Sequence, residues 1–190
     1  RKFYTLLERA FGIKGEVSVR RSSVKNTLIY TILIKNREAA EVLAGIKFLD
    51  KDGSLRDDYS LVSNLIVQNN CCKKAFVRGA FLAAGSIGDP EKGYHFEIVV
   101  KDETQAEELI TILSELKINA KPVKRKNHYP VYLKESDVIS EFLGITEAHI
   151  SLMKFENVRI YKEVKNKVNR KVNCETANIK KTASAAAKQL

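Results

Sequence analysis

An internal repeat constrains this chain more than any other feature. Residues 30–46 (YTILIKNREAAEVLAGI) align without gaps on residues 129–145 (YPVYLKESDVISEFLGI), and Tyr30, Lys35, Gly45 and Ile46 fall on Tyr129, Lys134, Gly144 and Ile145. Apolar positions such as Ile34 and Leu43 fall on Leu133 and Phe142, a pattern of one strand followed by a short helix. Upstream, residues 4–13 (YTLLERAFGI) fall on 109–118 (LITILSELKI). Both segments are apolar at every third or fourth position, which predicts an amphipathic helix packed on a neighbour. Between helix and strand, VSVRR (17–21) corresponds to the region of VKRK (123–126), a short basic strand in each copy. Ser22, Ser23, Lys25 and Asn26 lengthen the first hairpin with polar residues. Each copy therefore reads helix, strand, strand, helix.

The second copy has more in front of it. Residues 73–86 carry a helix pattern ending at Gly85, and 94–100 (YHFEIVV) carry a strand pattern, joined through the turn residues Gly88, Asp89 and Pro90. The first copy has no counterpart, and the chain begins with Arg1 rather than Met. The expectation is a fragment whose first unit lacks its leading helix and strands. A complete unit would run helix, two strands, helix, two strands, helix, so the expected fold class is α+β, with two such units built on antiparallel sheets. The expected domains are an incomplete first unit over 1–65, a second unit over 66–155, and a non-repeating basic segment over 156–190. Residues 163–190 contain no Pro or Gly and end Ala-rich, which predicts a long, partly exposed helix.

A chain of 190 residues, 44% of them hydrophobic, can bury one good core or two small ones. No apolar run approaches the roughly 20 residues that span a bilayer, and no signal-peptide pattern opens the chain, so a cytoplasmic protein without membrane contact is expected. Cys71 and Cys72 are adjacent and Cys174 leaves the count odd, which points to reduced thiols. No Cys or His cluster stands at metal-ligand spacing, so neither metal nor cofactor is expected. Net charge is +10, and from Lys154 onward ten basic residues face three acidic ones, so the tail alone holds +7. A basic surface concentrates polyanions and releases counterions on meeting phosphates; a merely solvated basic helix would carry the same charge.

The segment FVRGAFLAAGSI (76–87) resembles the signature helix of LAGLIDADG proteins, with Gly79 and Gly85 at the two glycine positions. Side chains that small let two such helices pack closely, here as a unit-interface pair across a pseudo-twofold axis. Longer phrases are similar to the WhiA family: CCKKAFVRGAFLAAGSIGDPEKGYHFEIVV (71–100), YLKESDVISEFL (132–143) and NKVNRKVNCETANIKKT (166–182). The resemblance covers nearly the whole chain. It implies a degenerate homing-endonuclease fold within a bacterial DNA-binding regulator of sporulation and cell division. It also implies that residues 156–190 are a linker toward a C-terminal helix-turn-helix domain.

Homing endonucleases of this fold hold divalent metals with acidic residues at the base of the signature helices. The matching position just before Gly85 is Ala84, whose methyl group cannot ligate a metal. The chain is therefore expected to be no enzyme. Affinity for duplex DNA needs no metal site, since it comes from Lys and Arg contacts to phosphates. The candidates are Arg20, Arg21 and Lys25 in the first unit, and Lys121, Lys124, Arg125, Lys126 and His128 in the second. Lys165, Lys167, Arg170 and Lys171 continue the track in the tail. Three functional readings stand open: a DNA-binding portion of a regulator, a scaffold for other regulatory proteins, and a residual nuclease. Two units in one chain make a monomer sufficient.

Overall fold

The structure, a computed structural model, describes residues 2–22, 26–50, 52–56 and 61–188. The chain divides into two compact units, 1–68 and 69–190. In the first, helix α1 (Lys2–Phe11) leads into an antiparallel ribbon of β1 (Glu16–Arg21) and β2 (Leu28–Leu33), followed by α2 (Asn36–Gly45). The second runs α3 (Asn70–Ala84), β3 (Gly85–Ile87), β4 (Phe96–Val100), α4 (Glu103–Glu115), β5 (Lys121–Pro122), β6 (Tyr129–Leu133), α5 (Ser136–Ile145) and α6 (His149–Ala187). Its four strands form one antiparallel sheet in the order β3-β4-β6-β5. Up to the end of α5 this is the complete unit expected from the repeat.

The repeat is visible residue by residue. Leu7 on α1 and Ile112 on α4 are both buried, as are Ile13 and Ile118 just beyond the two helices. Between each pair of matched positions the chain turns left-handed at matched sites, Gly12 at φ 68° and Lys117 at φ 65°. Helix α4 opens on Asp102, whose carboxylate accepts the Gln105 amide at 2.9 Å, while the Gln105 side chain accepts the Lys101 amide in return. It closes with paired bonds, Lys117 N–H to the Ser114 carbonyl and Ile118 N–H to the Leu113 carbonyl. That Schellman ending recurs after α2 and α5, with Lys47 and Glu147 at positive φ.

The second unit has a closed core. Phe96, Ile98 and Val100 of β4 and Val131 and Leu133 of β6 are all buried, because alternate residues of a strand face the same way. Phe81 of α3 stacks on Phe96 at 4.9 Å, and Phe142 of α5 meets both rings, at 5.5 and 4.4 Å. The first unit is far more open: Leu7, Ile13 and Val67 are its buried hydrophobics among the described residues, and Val17, Val19, Leu28 and Tyr30 of its ribbon are each more than half exposed. Val131, the counterpart of Ile32 on β2, is 1% exposed because β4 and β5 flank its strand and α4 packs on it.

Several boundaries differ from the sequence expectation. The helix expected over 73–86 spans α3 and stops at Ala84, so Gly85 and Ser86 already belong to β3. The basic strand expected over 123–126 is instead β5 at 121–122 and one bridge between Arg125 and His128, since Pro130 accepts from the Val123 amide but has no N–H to return to Val123, which interrupts the ladder between them. The helix expected from 163 begins at His149 and runs unbroken for 39 residues. No helix is long and apolar enough to cross a membrane among the described residues.

Gly85 is fixed by space. A Cβ there would lie 2.5 Å from the Phe81 carbonyl oxygen and collide with the Phe81 ring. Gly85→Ala is expected to cost about 1–3 kcal/mol or more, since both the Phe81 ring and the backbone at the end of α3 must shift, read from chemical denaturation. A variant as stable as the parent would show that α3 and β3 part without cost.

Candidate nucleic-acid interface

Strand alternation sorts the basic residues before any ligand is considered. With Phe96, Ile98, Val131 and Leu133 committed to the core, Glu97 and Tyr132 must point to the opposite face of the sheet. Register then sets Lys121, Tyr132, Glu97 and Ser86 in one row across the four strands. Arg125 joins that face, its Nη2 lying 3.4 Å from Glu97 Oε2. His128 is bridged to Arg125 through the backbone at the tip of the hairpin. Lys124 falls on the other side, its ammonium 5.6 Å above the Tyr129 ring. Hydrogen bonding to Tyr129, reinforced by the charges of Tyr129 and Glu103, raises the Lys124 pKa above its ordinary value. Lys126 lies in the exposed turn.

The first ribbon is sorted in the same way. Arg20 pairs with Ile29 and Arg21 with Leu28, so the two arginines take opposite faces. Arg20 matches Arg125 in the repeat and lies on the corresponding face, whereas Arg21 shares its face with Val17, Val19 and Tyr30. The counterpart of Lys121 is Glu16, held at 2.7 Å by Lys35. Lys25 lies outside the described residues.

Glu97 is the residue that the sequence reading passed over. Its Oε2 is buried without a hydrogen bond, 3.4 Å from Arg125 and 3.5 Å from His95 Nε2. The alternation in FEIVV was the available signal, since a carboxylate between Phe96 and Ile98 has to face away from the core.

On α6 the tail residues separate too. At about 100° per residue, Lys167, Arg170 and Lys171 share roughly a third of the helix circumference, while Lys165 points elsewhere. Lys167 and Arg170 line a groove that also includes Tyr94, Lys162 and Asn166. The base of α6 is fixed by Phe155, 3% exposed and 5.5 Å from the Tyr94 ring, by Ser140 donating to Glu156, and by Arg159 paired with Asp137 and with Glu156.

The remaining sequence candidates lie on α3. Gly79 is exposed, on the face turned away from Val77 and Phe81, and a Cβ there would meet nothing within 4 Å. Ala84 is exposed at the helix end. Cys71, Cys72 and Cys174 are free thiols, and the Cys71 sulfur raises the Cys72 pKa. Among the described residues, no three His, Cys, Asp or Glu side chains gather where they could hold a metal.

With this geometry in place, comparison with known proteins is specific. A family model described as the WhiA LAGLIDADG-like domain matches residues 73–165. The chain is 49% identical over 191 residues to the probable cell division protein WhiA of Lachnoclostridium phytofermentans, covering all of this chain and 61% of that protein. It is 42% identical over 192 residues to the protein of the same name from Alkaliphilus oremlandii, covering 60% of that one. The chain thus spans about three-fifths of the length of these curated relatives. Among solved structures, full-length WhiA from Thermatoga maritima superposes with a TM-score of 0.63 at 22% identity, over 96% of this chain and 56% of that one. The N-terminal LAGLIDADG domain of a WhiA protein gives 0.51 at 19% identity, over 73% and 62%. Those two likenesses establish a shared fold, and together with the sequence identities they lead to one conclusion: the chain belongs to the WhiA family.

Proposed function

We propose that this chain is a non-catalytic, DNA-binding portion of a bacterial transcription regulator acting in cell division and sporulation. The observation that carries the reading is the recurrence of an arginine, Arg20 and Arg125, at the same place on the same face of both repeated ribbons. Lys121 and His128 add to that face in the second unit, and a two-stranded ribbon is narrow enough to follow a major groove. The end of α3 supports the absence of catalysis, because the Ala84 side chain offers no carboxylate to a metal. The name of the relatives, probable cell division protein WhiA, supports the role in cell division.

The test is binding of the chain to a duplex across a salt series, with and without magnesium, while the DNA is checked for cuts. Salt-sensitive binding without cleavage is expected. Magnesium-dependent cutting would overturn the reading of Ala84. Failure of the folded chain to bind would favour the second reading, a scaffold for regulatory proteins. One observation speaks for that alternative: Glu97 neutralises part of the charge that Arg125 would offer to a phosphate.

A further inference from the structure

The groove at the base of α6 has a chemistry that the sheet face lacks. It is a cleft of about 910 Å³ bounded by Tyr94, the start of α5 and about three turns of α6. That volume lies within the range of about 300–1,000 Å³ typical of small-molecule sites. It equals a cube of about 10 Å edge, whereas a B-form duplex is wider than its own major groove of about 12 Å.

The charge inside is unevenly spent. Arg159 is engaged by Asp137 and Glu156, which leaves it as a fixed wall rather than an open cation. Among the described residues, no ion pair engages Lys162, Lys167 or Arg170, and Glu163 is the further carboxylate that α6 itself contributes to the lining. Lys162 stands 5.2 Å over the Tyr94 ring, which holds its ammonium at one end of the cleft. Lys167 and Arg170 are about 4.5 Å apart along the axis, one helical turn, and face the same way. Asn166, between these ends, brings an amide that both donates and accepts.

We infer that this groove binds a ligand the size of a nucleoside diphosphate, with its phosphates at Lys167 and Arg170 and its nucleoside toward Asn166 and Tyr94. Two close phosphates match two close cations, and Arg170 can grip phosphate oxygens through paired N–H donors. The polar amide and the aromatic ring suit the less charged end. The inference is independent of duplex binding by the sheet face.

The experiment is calorimetric titration of the whole chain at low salt with ADP and, separately, with inorganic pyrophosphate. ADP is expected to bind with a Kd at or below about 1 mM, more tightly than pyrophosphate. Arg170→Ala should weaken it by about tenfold or more, the loss of a charge-assisted contact. Lys181→Ala, which removes the same charge roughly 16 Å further along α6, should leave the affinity unchanged. Both sites lie on an exposed stretch of helix, so folding is not at stake. The proposal is overturned by no ADP binding, by equal losses in the two variants, by pyrophosphate binding as well as ADP, or by a short duplex displacing the nucleotide.

Discussion

Replacing Phe142 by alanine is expected to remove about 3–5 kcal/mol of stability from the second unit. Phe142 is 0% exposed and its ring meets Phe81 and Phe96, so it ties together α5, α3 and β4. Truncation would leave a void bounded by two aromatic rings that cannot both close into it. Against a typical total of about 5–15 kcal/mol for a domain, such a loss removes a large fraction of the stability and, at the low end of that range, nearly all of it. Urea unfolding followed by circular dichroism measures it, with Phe3→Ala on the 59% exposed face of α1 as the reference for a loss that should stay near zero. If Phe142→Ala matched that reference, the three-ring contact would not be what holds the core.

The second large effect concerns duplex affinity and its salt dependence. Each phosphate contact contributes about 0.9 to the slope of log affinity against log salt. Lys121→Ala should lower the slope by about that amount and weaken binding to all sequences alike. Arg125→Ala should do less, because Glu97 already offsets part of its charge at 3.4 Å. Glu97→Gln should therefore act in the opposite direction, freeing Arg125 and tightening binding with a steeper slope. A Lys121→Ala/Arg125→Ala double variant with the parent's slope would remove this face from DNA contact.

Much of the fold could be read in advance because the repeat does two jobs at once. It marks which positions are apolar in both copies, as with Leu7 and Ile112, and it marks where the backbone must turn, as with Gly12 and Lys117. Glycine at the first of these declares a left-handed residue openly; lysine at the second declares nothing until the copies are aligned. Strand lengths were less legible, since the ladder through the basic residues 123–126 is interrupted by Pro130 on the facing strand, which has no N–H to give Val123. The sheet face could have been sorted from alternation alone, which separates Arg20 from Arg21 and Lys121 from Lys124. The groove could not. Tyr94, Asp137 and Arg170 lie far apart in sequence, and only the packing of α5 on α6 brings them to one cleft.

Helix α6 has a mechanical consequence. The contacts that anchor it, at Phe155, Glu156, Arg159 and Lys162, fall within its first fourteen residues, and every residue from Glu163 to Lys188 is exposed. The exposed part is about 37 Å of continuous helix. It behaves as a lever whose fulcrum is the cluster around Arg159, beside the proposed groove. A tilt of about ten degrees at that point would sweep the far end through roughly 7 Å, at 1.5 Å of length per residue from Arg159. Small adjustments among a few side chains at the base are thereby magnified at the distal end.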